Sequence, residues 1–445
     1  MSKANLNFEK TNEELLQFLD NSPSAFHATA NMCEMLKEAG FTRLYEGEKW
    51  NLEAGCGYYV TRNDSALIAF QIPKQDFAGF QIMASHSDSP VFKIKANAEI
   101  AVENQYVKLN VEKYGGMICS TWLDRPLSVA GRVIVRTADG IATKLVNVDR
   151  DLMIIPNLAI HMNRQVNDGY AFNAQKDMLP LFCEAAEKQV KGCFTELIAN
   201  EAGVTAEDIL DMDMFLYNRM KGTLLGADGE FIASPHLDDL QCAFASLKGF
   251  LAAEPKDSVA VHCVYDNEEV GSGTKQGAES TFLKDVLNRI NTGMGRTQEE
   301  YLTALASSFM VSADNAHAIH PNQPDKADPT SRPYMNQGIV IKYSANQKYC
   351  TDAVSAAVFK TICEKAEVPY QVFLNRSDIL GGSTLGNISG TQVALNTVDI
   401  GLPQLAMHSS YETAGSRDTA YLIEAAKVLY SGSFTGKGDG AYRLG

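Results

Sequence analysis

The stretch Asp266-Asn267-Glu268-Glu269-Val270-Gly271-Ser272-Gly273 sets two adjacent carboxylates directly after an apolar run, 259–265. If that run is a strand, Glu268 and Glu269 lie just past its carboxyl end, where open α/β sheets gather their ligands. In extended backbone successive side chains point to opposite sides, so one Glu can hold a metal while its neighbour faces water or substrate. Two carboxylates this close repel and raise a pKa, which suits a general base, unless cations hold both ionised. A bare Glu-Glu pair is far more often a solvated loop, because Glu is mostly exposed. The pair gains meaning only from residues elsewhere in the chain.

Most of those residues also follow apolar runs. Residues 81–85 lead into His86-Ser87-Asp88, 309–313 into Asp314, and 404–407 into His408, while Asp238 sits in Ser234-Pro235-His236-Leu237-Asp238-Asp239. Two imidazoles and three carboxylates meet the needs of a pair of divalent, zinc-like ions with one carboxylate bridging both. Two such cations offset the carboxylates and keep a buried site close to neutral. Zinc suits this nitrogen and oxygen set, and cobalt or manganese is also tolerated. Asp88 is spaced to take the second ring N–H of His86.

The ordered strings ASHSDSP, SPHLDDL, DNEEVGSG, SADNAHAIHPN and LAMHS resemble the M18 metallopeptidases, the aspartyl aminopeptidase family of the di-zinc aminopeptidase clan. With NSPSAFHA near the start, the resemblance runs almost end to end. It implies an α/β fold, with a di-zinc exopeptidase-type (phosphorylase/hydrolase-like) catalytic domain and an inserted β-rich oligomerisation domain. It implies His86, Asp238 and Asp314 around one metal, and Asp238 as bridge with Glu269 and His408 around the other. Glu268 takes the place of the general base, and Asp88 that of the carboxylate supporting His86. Two departures stand out: Asp239 where the family commonly has Asn, and Ser409-Ser410-Tyr411-Glu412 where it commonly has Arg-Glu after the last His. Neither is expected to touch a ligand.

Three further residues take roles from the resemblance. Asn157-Leu158-Ala159-Ile160-His161 is similar to the segment in which a His from a neighbouring subunit enters the active site. A catalytic His161 therefore requires self-association, in the family a tetrahedral homododecamer. The run 338–342, followed by Asn346-Gln347-Lys348-Tyr349, is similar to the segment lining the specificity pocket, which places Lys342 and Tyr349 there. A desolvated Lys at a pocket floor would pair with acidic side chains and reject neutral or basic ones. A Lys snorkelling from a strand end is the plainer reading. The expected activity is an aminopeptidase that releases amino-terminal Asp or Glu from peptides through metal-activated water, with Glu268 as base. Another di-metal amidohydrolase or carboxypeptidase, or a non-catalytic assembly scaffold of the same fold, remains open.

Elements must bring these residues together. At 445 residues the chain exceeds the usual single core, which favours two domains. Residues 1–90 and 230–445 read as the two parts of a catalytic domain, and 91–229 as an inserted dimerisation or oligomerisation domain. Thr11-Asn12-Glu13-Glu14 reads as a capping box opening a helix, and a second helix is expected from Ser24 to about Gly40. Alternating residues at 91–94, 107–111 and 133–136, with turns at Gly115-Gly116 and Asp139-Gly140, predict antiparallel strands. The part from Asp177 to Met220 reads as mostly helical, with a turn at 200–203. Leu422, Ala425, Val428 and Leu429 mark the apolar face of a last helix. Gly381-Gly382-Ser383-Thr384 lacks the phosphate-loop Lys and reads as a tight turn lining the pocket. His317 and His320 are expected to shape the cleft by hydrogen bonds, and His236 and His262 to be structural.

Composition narrows the class. A net charge of −15 argues against nucleic-acid partners, whose phosphates it repels. Hydrophobic content is 45%, yet no apolar run approaches the ~20 residues that span a bilayer, which argues against a membrane partner. MSKANLNFEK carries no apolar signal segment, so a cytoplasmic location is expected. Nine Cys without a Cys-x-x-Cys pair indicate neither a zinc ribbon nor a disulfide framework.

Overall fold

The computed structural model describes residues 6–185, 190–436 and 441–445. Four apolar runs lie side by side as parallel strands, in the order Val259–Tyr265, Phe80–His86, Phe309–Ala313 and Asn396–Gly401. Three strands extend the sheet on one side, Ala66–Gln71, Gly57–Arg62 and Thr42–Leu44, and two on the other, Ile339–Lys342 and Tyr370–Phe373. Ala66–Gln71 and Ile339–Lys342 run antiparallel to the central strands they meet.

Both faces of this nine-stranded sheet are covered, which is why its central strands read as unbroken apolar runs rather than alternating ones. Val259, Val261 and Cys263 pack on one side with helices Phe282–Gly293 and Gln298–Ala306. Ala260 and Val264 pack on the other with Phe8–Asp20, Ala25–Glu38, Leu237–Leu251, Ala353–Lys365 and Asp418–Ser431. Phe250 and Phe282 are each 0% exposed, and burial of such a side chain contributes roughly 1.5–3 kcal/mol. The two cores hold the strands in register, with His86 opposite Tyr265 and Ala313 opposite Ile400. The carboxyl ends therefore finish level, where the chain turns off towards Asp88, Glu268 and Asp314.

A second sheet of six strands is antiparallel throughout, in the order Gly140–Asn147, Leu127–Thr137, Ile209–Asn218, Val91–Val102, Tyr106–Tyr114 and Leu181–Glu184. Its core includes Phe92, Trp122, Phe194 and Met214. The expected helical stretch from Asp177 to Met220 is corrected here: Cys193–Ala202 is its main helix, while Leu181–Glu184 and Ile209–Asn218 are strands. Met214 and Leu216 are buried between the more exposed Asp213 and Phe215, a period of two that a strand satisfies and a helix does not. Asn200 to Ala202 complete the helix rather than forming a turn, and Gly203 ends it at φ +64°, a left-handed cap suited to glycine. The first helix also opens earlier than expected, at Phe8, because the Asn7 side chain accepts from the Lys10 N–H. The second spans Ala25–Glu38 behind Ser24, as its sequence indicates.

A third sheet has no counterpart in the sequence reading. Its order is Thr223–Leu225, Phe231–Ser234, Glu412–Gly415, Pro403–Leu405 and Ala316–His317. It carries His408 in the loop between Pro403–Leu405 and Glu412–Gly415, so His408 does not end a strand of the main sheet.

Candidate metal centre

His86 ends strand Phe80–His86 and is 1% exposed. Its Nδ1 lies 3.0 Å from the Asp88 carbonyl oxygen and 3.4 Å from Asp88 Oδ1. A ring nitrogen facing two acceptors carries the proton, which leaves the Nε2 lone pair for the centre of the site. That Nε2 lies 3.5 Å from Asp238 Oδ1 and 4.0 Å from Asp314 Oδ1. His408 repeats the arrangement, with Nδ1 2.5 Å from the Gly116 carbonyl and Nε2 3.3 Å from Glu269 Oε2 and 3.5 Å from Asp238 Oδ2. Asp238 thus turns one oxygen towards each imidazole, as a bridging carboxylate does.

The donor set fits divalent metal. Asp238 Oδ1 and Glu269 Oε1 are buried with no hydrogen-bond partner, a costly state for carboxylates unless cations answer them. Ligand atoms of His86, Asp238 and Glu269 all lie within 4.8 Å of one another. Electrostatics carry the same message. Burial, reinforced by the Asp238 charge, pushes Glu269 well above the usual carboxylate range. Burial also raises Glu268 to about 8, with Asp314 and Asp88 adding to it and His86 opposing. Asp314 is raised by burial against the pull of Lys342. Burial disfavours charged His86, but Asp238 and Asp88 outweigh it and hold the imidazole well above its ordinary value. So many carboxylates, held apart by so few cations, call for positive charge from outside the chain.

The two glutamates are positioned differently from expectation. Glu268–Val270 forms one 3-10 turn after Asn267 at φ +62°, so the pair does not alternate as extended residues would. Asp88 explains the turn: its Oδ1 accepts from the Glu268 N–H and its Oδ2 from the Glu269 N–H, each at 3.1 Å. The carboxylate expected to support His86 therefore also holds the backbone of both glutamates. Asp314 follows its strand closely, and at Gly401 an added Cβ would lie 2.1 Å from the Asp314 carbonyl. Only glycine leaves room for that approach.

The expectation that neither departure from the family pattern touches a ligand is corrected here, because Asp239 and Glu412 each accept from the backbone N–H of a candidate ligand. Asp239 is fully buried, and its oxygens accept from the N–H groups of His86 and Asn315. Burial pushes its carboxyl well up, with Asp314 and Asp238 adding to it and His86 opposing. The Asp238–Asp239 peptide is cis. Glu412 accepts from the His408 N–H at 2.8 Å and from the Asp238 N–H at 2.9 Å, tying two candidate ligands together. Its one sequence signal was its place four residues after His408.

Lys342 is 3% exposed, with Nζ 3.6 Å from Asp314 Oδ2 and 5.5 Å from the centre of the Tyr349 ring. It shares a cavity of about 200 Å³ with His86, Asp238, Glu268, Glu269, Asp314, His408, Tyr349 and Thr384. A larger cavity of about 380 Å³ meets the site at Asp88 and Asn267 but lacks this ligand set, so the smaller one holds the candidate centre. His317 also lines the smaller cavity, its ring centre 6.0 Å from that of Phe373. His320 instead accepts from the Asn322 N–H. His262 pairs with Ser246 in the core, and His236 sits at φ +60° beside Leu237. His161 does not line the cavity of its own chain: it lies on the exposed turn Ile160–Met162, among exposed Leu158, Ile160 and Met162.

The sequence profile of the Aminopeptidase I zinc metalloprotease (M18) family matches residues 18–430. A "Probable M18 family aminopeptidase 2" from Clostridium acetobutylicum is 47% identical over 434 residues, covering 96% of this chain and 100% of that protein. The cryo-EM structure of the Ape4 and Nbr1 complex contains a chain similar to this one, with a TM-score of 0.92 at 35% identity, covering 97% of this chain and 88% of that one. The S. cerevisiae mApe1 dodecamer is similar with a TM-score of 0.82 at 25% identity, covering 95% and 98%. Among the described residues, no helix is long and apolar enough to cross a membrane.

Proposed function

This chain belongs to the M18 family of zinc aminopeptidases, and from that premise we propose that it releases Asp and Glu from the free amino termini of peptides. The observation that carries this reading is the buried Lys342, whose ammonium faces the same cavity as the ligand set. A desolvated cation there favours an acidic side chain and disfavours a basic one.

His86, Asp238 and Asp314 would hold one zinc ion, and Asp238, Glu269 and His408 a second. Bound zinc supplies Lewis acidity that polarises the scissile carbonyl and acidifies water, and it takes up the charge of its carboxylate ligands. Glu268 accepts a proton from the attacking water and passes it to the leaving amine. Asp88 fixes where Glu268 stands by holding its backbone N–H. With Asp314 engaged as a ligand, Lys342 is the cation that a substrate carboxylate meets, and the Tyr349 ring limits where the ammonium can move.

The same premise extends to assembly. The exposed apolar residues beside His161 fit an interface between copies of the chain, and the related mApe1 is a dodecamer. The segment 91–229 would make those contacts, delivering His161 to a neighbouring site in a tetrahedral homododecamer. A peptide panel tests the reaction class. Zinc-loaded protein should cut aspartyl and glutamyl peptides with free amines and leave their amino-blocked forms intact. Equal cleavage of blocked peptides would favour an amidohydrolase or carboxypeptidase instead.

A further inference from the structure

The strand Tyr106–Tyr114 belongs to the six-stranded sheet, yet the three residues at its end reach three parts of the metal centre. The Tyr114 hydroxyl donates to Asp88 Oδ2 at 2.6 Å and accepts from Asn267 Nδ2 at 2.8 Å. Gly115, at φ +76°, lies so close to Glu269 that an added Cβ would come within 3.1 Å of the Glu269 Cβ. The Gly116 carbonyl accepts from His408 Nδ1. Asp88, Glu269 and His408 are thus each met by one of three consecutive residues from outside the nine-stranded sheet.

We propose that Tyr114, Gly115 and Gly116 form a positioning strap for the catalytic centre, with the Tyr114 hydroxyl fixing the Asp88 carboxylate. This rests on the metal-centre reading given above and goes beyond it. Asp88 Oδ1 and Oδ2 each receive one backbone N–H of the glutamate pair, so the plane of that carboxylate sets the 3-10 turn. Without the hydroxyl, Oδ2 keeps one of its two donors and the carboxylate can rotate. Asn267 is held by the same hydroxyl and also by Thr274 and Gln276, whose side chains donate to its Oδ1 at 2.8 and 2.7 Å. The left-handed residue that starts the turn is therefore fixed from both sides. At the other end of the strap, Gly116 sets the tautomer and direction of His408, as outer partners of ligand imidazoles do. Tyr114 does not line the cavity that holds the ligand set, so its role is positional.

The ring of Tyr114 also packs edge-on against Phe215, with centroids 5.9 Å apart, and a purely structural role must be separated from a positional one. Tyr114→Phe keeps the ring and removes the hydroxyl, whereas Phe215→Leu removes the ring contact and keeps the hydroxyl. Zinc affinity is measured by competition with a chelator, and kcat and KM on an aspartyl reporter at saturating zinc. Loss of an outer partner typically weakens metal binding 10–100-fold. Tyr114→Phe should lower zinc affinity by about that factor and kcat by at least about tenfold, with KM within about threefold, while Phe215→Leu stays near wild type. Gly115→Ala, which pushes on Glu269, should also weaken zinc binding. Zinc affinity and kcat of Tyr114→Phe within twofold of wild type would overturn the proposal, as would an equal loss in Phe215→Leu. Wild-type protein that binds no zinc would instead overturn the metal-centre reading on which the strap depends.

Discussion

Lys342→Leu separates two jobs that the structure gives one side chain. Nζ lies 3.6 Å from Asp314 Oδ2, and at an effective dielectric near 20 that separation corresponds to roughly 5 kcal/mol of gross attraction. Burial alone would lower the ammonium's pKa, but Asp314, then Tyr349 and Asp399, raise it above its ordinary value. A substrate carboxylate reaching Nζ makes a charge-assisted hydrogen bond worth about 1.5–3 kcal/mol. Its loss should lower kcat/KM for aspartyl and glutamyl reporters about 10–150-fold. Leucyl and alanyl reporters should hold or improve, because Leu removes a charge their side chains must desolvate. The assay is kcat/KM for these four reporters in wild type and variant, each with zinc content measured. If Lys342 serves only to neutralise Asp314, all four fall by a common factor, and an unchanged ranking refutes its role in choosing the substrate.

Two other outcomes follow from the structure. Burial lowers His262 to about 3, so below its unfolded value near 6.5 the unfolded chain takes up a proton that the native chain refuses; stability falls as pH drops from 6.5 towards 3, by about 1.4 kcal/mol per unit. Urea unfolding at pH 7 and pH 5 should show His262→Gln losing about 2 kcal/mol less than wild type, and equal losses would contradict the assignment. For His161, mixing inactive His161→Ala with inactive Glu268→Gln under conditions of subunit exchange should restore activity, since some sites then pair an intact Glu268 with a neighbour's intact His161. Absence of rescue after verified exchange would count against a shared site.

The residue types of the centre were legible because three of the candidate ligands follow long apolar runs. Val259–Tyr265 and Phe309–Ala313 are strands with the limits their sequences indicate, since a parallel strand buried on both faces admits few polar residues. What the sequence hid was the company those residues keep across the fold. Gly116 and His408 are 292 positions apart, and no local pattern marks a backbone carbonyl as the partner of a distant imidazole. Glu412 was visible only as a departure, because its two acceptor contacts depend on a third sheet built from strands of two to four residues around it. Ile209–Asn218 was misread as helical because Leu, Met and Asp have weak strand preference, although their alternation carried the period of two. The glutamate pair was legible as chemistry and misread as backbone. Its turn is imposed by Asp88, which lies 180 residues from Glu268.

In the proposed mechanism Glu268 moves the proton while its neighbour Glu269 binds metal. Zinc content and turnover measured on one preparation of Glu268→Gln test it most directly, since Gln keeps the shape and most hydrogen bonding but accepts no proton. Wild-type zinc content is expected, with kcat lower by about 10²–10⁴-fold. Near-normal turnover with zinc retained, or loss of zinc together with activity, would contradict the division of labour between the two carboxylates.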